Sequence, residues 1–230
     1  MTPKEFSSFL KNINPQSLSV LDASIQIEQY IPLDLSISNQ ALQNVELSLS
    51  SSLENFVNNH ISQQNGSVAY GGYNETRNIY RRSDYFNREN PETERNIHLG
   101  MDLWLKAESP IFAPLEGVVQ SFQNNQNFGD YGPTIILKHE IDKVVFYTLY
   151  GHLSLSSIDN LKVGQRFNQS DALATLGDST VNGDYPPHLH FQIIRNLGEW
   201  IGDYPGVCSK TDLEWYLANC PDPNVLLKMV

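Results

Sequence analysis

The chain has 230 residues with 26 acidic and 15 basic side chains, giving a formal net charge of -11 and a pI of about 4.9. Hydrophobic residues make up 40% and aromatics 10% and are spread along the whole length, which excludes wholesale disorder. No apolar run approaches the ~20 residues that a membrane-spanning helix needs, and the negative balance disfavours nucleic acid or an anionic membrane surface as a partner.

The amino terminus, MTPKEFSSFLKNINPQ, lacks the apolar core of roughly 7 to 15 residues found in a secretory signal. The chain as written is therefore expected to be cytoplasmic, or exported if a leader has been removed. Pro3 to Leu10 reads as a short helix with Pro3 in its first turn. Leu53, Phe56, Val57 and Ile61 recur at helical spacing behind Ser50, Ser51 and Ser52, which are candidate N-caps, so a second, amphipathic helix is expected there. The glycine-containing turn Gly66 to Gly72 is the best boundary, leaving residues 1–72 as a partly helical N-terminal region.

Residues 73–95 carry Arg77, Arg81, Arg82, Arg88 and Arg95 interleaved with Glu75, Asp84, Glu89, Glu92 and Glu94, and also Tyr73, Tyr80, Tyr85 and Phe86. Such a cluster could grip an anionic or sugar ligand. The balanced charges favour a salt-bridged extended arm packed on the main domain.

From residue 96 to 230, short β-branched or apolar runs (EGVVQSF, PTIILKH, KVVFYTLYGH, DALATLG, HLHFQII) alternate with turn-rich groups, predicting a largely antiparallel sheet. TDLEWYLANC reads as a terminal helix with Thr211 as N-cap and Pro221 and Pro223 beyond its end. Cys208 and Cys220 match neither a redox nor a zinc-ribbon spacing and read as two ordinary buried thiols, with a single bridge as the alternative.

Four of the six histidines, with one aspartate, fall into three patterns that metal chemistry uses. The first is His98-Leu-Gly-Met-Asp102. On a straight strand its two polar ends would lie about 13 Å apart, so joint ligation demands a bend, for which Gly100 is placed. The second is His188-Leu189-His190, whose imidazoles share one strand face while Leu189 and Phe191 turn to the core. Two adjacent imidazoles disfavour each other's protonation and so suit a shared metal task. The third is Tyr150-Gly151-His152, a histidine at the end of a buried strand. His60 and His139 read as ordinary structural histidines. A catalytic zinc typically takes three protein ligands and keeps one position open. His98, Asp102 and one histidine of the 188/190 pair would satisfy that and leave two imidazoles to handle water and oxyanion.

These motifs, with Ala113-Pro114-x-x-Gly117-x-Val119, Tyr131-Gly132, Tyr150-Gly151-His152-Leu153-Ser154, Val163-Gly164 and Pro187-His188-Leu189-His190-Phe191, resemble the lysostaphin/LytM-type zinc metallopeptidases over roughly residues 96 to 195. The YNETRNIY, NGDYPPHLHFQII and CPDPN segments look closer to a subgroup whose peptidase-like segment sits in larger phosphotransferase and aminotransferase chains. The resemblance implies a mainly β (α+β overall) fold, a two-layer antiparallel β-structure of the LytM/duplicated-hybrid-motif type. It also implies Zn²⁺ held by His98, Asp102 and His190, with His152 and His188 as the catalytic pair. The implied activity is metalloendopeptidase or amide hydrolase cleavage of a peptide or muropeptide by zinc-activated water. The alternatives are a non-catalytic binding or regulatory module and a hydrolase of a non-wall amide.

Overall fold

The structure is a computed structural model that describes residues 1–86 and 90–229, so Arg88 and Glu89 of the arm lie outside the described residues. It opens with helix α1 (Pro3–Ile13), strand β1 (Tyr30–Pro32), helix α2 (Ser50–Gln63) and strand β2 (Val68–Gly71). Among the described residues the strands that follow are β3 (Ile97–His98), β4 (Met101–Trp104), β5 (Pro110–Phe112), β6 (Gly117–Asn125), β7 (Gly132–Ile141), β8 (Val144–Gly151), β9 (Arg166–Phe167), β10 (Ala172–Thr175), β11 (His188–Ile194) and β12 (Val207–Cys208). Helices α3 (Leu213–Asn219) and α4 (Asn224–Leu227) close the chain.

Eight strands form the principal sheet in the order β1-β2-β4-β11-β8-β7-β6-β9, and β5 with β10 and β3 with β12 form two small ribbons. The fold is mainly β, and among the described residues every strand pairing is antiparallel except β1 with β2. That parallel pair is joined through α2, a crossover that the patterns after residue 96 could not foretell. β2 pairs with β4 (Gly71 opposite Asp102), so the segment just before residue 72 is hydrogen-bonded into the sheet that carries the metal-type motifs.

Alternation along each strand sorts residues between two faces. Leu189, Phe191 and Ile193 of β11 share one buried cluster with Ile135 and Leu137 of β7, Phe6 and Leu10 of α1, Ile111 of β5 and Leu173 of β10. Ile136 and Leu149 fall on the other face, with Ile194 and Tyr204. The β7–β8 hairpin closes on Asp142 and Lys143, both with positive φ (51° and 65°), the backbone of a two-residue turn whose twist matches the strands.

The helix ends differ in detail from expectation. α1 runs further, to Ile13, and starts with a capping box in which Thr2 and Glu5 each satisfy the other's backbone N–H. Ser50, Ser51 and Ser52 lie inside the first turn of α2, and Ser50 spends its hydroxyl on Asp184 Oδ1 at 2.8 Å, a tertiary bond that outcompetes capping. Thr211 donates to the Glu92 carbonyl instead of capping α3. Cys208 and Cys220 are both free and buried. No helix among the described residues is long and apolar enough to cross a membrane.

His139 is fully buried, stacked on Phe146 at 5.0 Å and donating from Nδ1 to the Glu116 carbonyl at 2.7 Å. Burial pushes its pKa down to about 4, against the pull of that carbonyl. The native state keeps it neutral where the unfolded chain, with a pKa near ~6.5, takes a proton, so its contribution is whole above ~6.5 and falls away as pH drops toward 4. The stability advantage of the wild type over His139→Gln should therefore shrink by roughly 2 kcal/mol between pH 7.5 and pH 5 in urea unfolding. A difference that stays constant with pH would contradict this.

Candidate metal centre

Register brings the metal-type residues together. In the β11–β4 ladder His190 lies opposite Asp102 and His188 opposite Trp104, while on the other side of β11 His190 lies opposite Gly151. His152 follows directly after β8 with φ 63°, a left-handed conformation uncommon for a residue with a side chain. The chain bends at Leu99 and Gly100 between β3 and β4. That bend turns a separation too long for one ion into 3.2 Å between His98 Nε2 and Asp102 Oδ1. Gly100 is needed for close approach: a Cβ there would come within 2.6 Å of the His190 ring and 2.9 Å of the Phe191 carbonyl.

Three donor atoms converge. His98 Nε2 lies 2.8 Å from His190 Nδ1, and Asp102 Oδ1 lies 3.1 Å from His190 Nδ1. His98, Asp102 and His190 are the one group of potential ligands this close among the described residues, and all three are buried. The tautomers follow from the partners. His98 Nδ1 faces the Gly72 carbonyl at 2.9 Å and must donate to it. His190 Nε2 faces Gln192 Oε1 at 2.9 Å, and Gln192 is oriented by donating from Nε2 to the Pro205 carbonyl and Cys220 Sγ. Both remaining nitrogens, His98 Nε2 and His190 Nδ1, are therefore lone pairs, and they face each other and a carboxylate oxygen. Such a set is repulsive on its own and fits a cation at its centre.

His152 and His188 flank this point, their rings 4.2 Å apart. Each donates from Nδ1 to a backbone carbonyl at 2.8 Å, His152 to Asn182 and His188 to Pro186, which leaves both Nε2 atoms as lone pairs. His188 Nε2 lies 3.9 Å from Asp102 Oδ1. Burial pushes the imidazoles toward neutrality: His98 down to about 4, with Asp102 pulling the other way, and His188 also below its usual value. His152 is lowered by burial and then by its histidine neighbours. Burial opposes charge on Asp102, but His98 and the Arg77 guanidinium overcome it and hold its carboxyl well below the ordinary range.

All five residues singled out in the sequence thus line one cavity. Tyr80 and Phe86 of the arm, with Trp200 and Asp203, form other parts of its wall. Arg82 pins the arm to the loop behind the histidines, donating to Asp184 Oδ2 at 2.9 Å and lying over Tyr185 at 4.7 Å. Arg81 pairs with Glu94, and Arg95 lies over Tyr85 and Phe86. Sequence reasoning missed Gln192, whose position two residues after His190 on the same strand face was a usable signal. It also missed Gly72, Asn182 and the partner of Arg77, which depend on contacts distant in sequence.

A model of peptidase family M23 matches residues 96–201. A Haemophilus influenzae protein described as an uncharacterized metalloprotease is 30% identical over 111 residues, 48% of this chain and 21% of that one. The peptidoglycan DD-endopeptidase ShyC of Vibrio cholerae is 32% identical over 100 residues, 43% of this chain and 20% of that one. The chain thus spans about a fifth of the length of these relatives. Among solved structures, lysostaphin from Staphylococcus simulans is similar at 26% identity over 57% of this chain and 44% of that one, with a TM-score of 0.39. The stretch of this chain that is similar to peptidase family M23 is therefore residues 96–201, and it carries His98, Asp102, His152, His188 and His190.

Proposed function

We propose that this chain is a zinc-dependent endopeptidase that hydrolyses peptide bonds of the bacterial cell-wall type. The observation that carries the reading is the set of three inward lone-pair donors, His98 Nε2, Asp102 Oδ1 and His190 Nδ1, spaced 2.8 to 3.2 Å apart. Tetrahedral ligands at zinc bond lengths stand about 3.3 Å from one another, so the set suits that ion with little adjustment. Zinc held there would supply a Lewis acid that makes water acidic near neutral pH and polarises a carbonyl.

The chain's own residues supply the rest. His152 and His188, neutral and fixed through Nδ1, offer Nε2 as proton acceptors for the attacking water. Once protonated, the same atoms can stabilise the oxyanion and return the proton to the departing amine. The carbonyls of Asn182 and Pro186 keep these rings from turning, so no reorganisation is needed as charge develops. A cell-wall peptide as substrate is supported by the name of the Vibrio cholerae relative, a peptidoglycan DD-endopeptidase.

Metal analysis of the purified chain, coupled to hydrolysis of muropeptides and glycyl peptides, tests the reading. Asp102→Ala should abolish both zinc retention and hydrolysis, and full activity in that variant would sink the ligand assignment. His152→Ala should keep its zinc while turnover falls by about 10² to 10⁴-fold. Loss of metal in that variant would instead make His152 a ligand, and unchanged turnover would remove it from the chemistry.

A further inference from the structure

Asp102 divides its two carboxylate oxygens between separate partners. Oδ1 faces His190 Nδ1 at 3.1 Å and His98 Nε2 at 3.2 Å, whereas Oδ2 accepts from Arg77 Nη1 at 2.6 Å. Arg77 in turn donates from Nε to Glu75 Oε2 at 2.5 Å. The three side chains are only 2%, 4% and 12% exposed, for Asp102, Arg77 and Glu75 respectively, so solvent does little to screen the chain of charges.

We propose that Arg77 is the positioning residue of the metal centre: by holding Oδ2 it fixes the plane of the Asp102 carboxylate and presents Oδ1 as the single oxygen between His98 and His190. The inference rests on the reading of those three residues as metal ligands. A carboxylate free at both oxygens can turn or chelate through both, which changes coordination number and shape. A guanidinium prevents this because it is planar, permanently charged and able to engage two carboxylates through different N–H groups.

The surroundings fit the role. Arg77 is anchored by its own backbone, whose N–H donates to the Asn96 carbonyl at 2.9 Å, immediately before the strand of His98. Glu75 balances the guanidinium, so the positive charge beside a cation site is compensated instead of repelling its occupant. Gly72 makes room for both functions: a Cβ there would collide with Arg77 Nη2 and approach His98 Nδ1 to 2.9 Å, and its φ of 102° already excludes most side chains. One short segment, 72–77, therefore supplies the carbonyl that sets the His98 tautomer and the arginine that sets the Asp102 rotamer.

The test compares wild type, Arg77→Met and Arg77→Lys by zinc affinity in chelator competition and by the visible absorption of the Co²⁺-substituted proteins. Arg77→Met, which keeps the stem and removes the fork, is expected to bind zinc about 10 to 100-fold more weakly and to change the Co²⁺ spectrum as Asp102 loses its fixed geometry. Arg77→Lys, which cannot engage both carboxylates, is expected to fall between the two. Wild-type affinity and spectrum in Arg77→Met would overturn the proposal. So would complete rescue by lysine, which would make charge and not orientation the function. If Arg77→Met fails to give a cooperative melt, Glu75→Gln is read in its place. It should weaken zinc binding and shift the Co²⁺ spectrum by releasing Arg77 Nε and so loosening the fixed grip of Nη1 on Asp102 Oδ2, and an unchanged affinity and spectrum there would count against the proposal equally. Failure of the wild type itself to take up zinc or cobalt would refute the underlying metal reading, a result separate from any difference among the variants.

Discussion

Two imidazole lone pairs and a carboxylate oxygen are forced to within about 3 Å of one another in a buried place, and the surrounding structure is organised to make that arrangement hold. Buried polar groups are costly unless each proton and lone pair has a partner. Here every imidazole proton points away from the centre, to Gly72, Asn182 or Pro186 carbonyls or to Gln192. The consequence is a ring of acceptors outside and a knot of donor atoms inside, with tautomers that follow from backbone geometry alone. Gln192 shows how deep the constraint runs, because its own amide is oriented by Pro205 and Cys220 before it can orient His190. Burial pushes the Cys220 thiol up to about 12, so it meets that amide as a neutral group.

The sheet makes this arrangement affordable by separating tasks between its faces. β11 is buried on both sides, with Leu189, Phe191 and Ile193 packed into the apolar cluster on one face and His188, His190 and Gln192 making the polar contacts of the other. A slip of one residue in β11 would exchange the two sets, so the hydrophobic cluster that fixes register also fixes the centre. The neighbouring strands contribute from both sides, β4 bringing Asp102 and β8 delivering His152 just past its last residue. The clustering of these side chains thus follows from an ordinary antiparallel ladder with a bend on one side and a left-handed residue on the other.

Much of this was legible from residues alone. Period-two alternation in HLHFQII places both histidines on one face, and the spacing of His98 and Asp102 implies the bend that the chain makes at Leu99 and Gly100. The β-branched runs after residue 96 mark the central strands. The parallel pairing of β1 with β2 was not legible, because Tyr-Ile-Pro and Val-Ala-Tyr-Gly are too short to carry a period and their partners are set by packing. The caps of α2 and α3 were misplaced for a similar reason: a serine or threonine signals an available hydroxyl, and tertiary contacts to Asp184 and Glu92 claimed it. The charges of residues 73–95 balance in number, but balance does not reveal partners. Arg77 found Asp102, 25 residues away, and Arg82 found Asp184, 102 residues away.

His98 and His190 touch through their rings although 92 residues separate them along the chain. Any species bridging those two nitrogens acts as a reversible cross-link across that span. Its gain in stability comes from the open chain, whose freedom it would curtail, as much as from contacts in the closed one. The bridge would also tie β3 to β11 while the intervening hairpin of β7 and β8, paired locally, could form without it. A cation held there would thus clasp two strands that lie far apart in the chain and are not neighbours in one sheet.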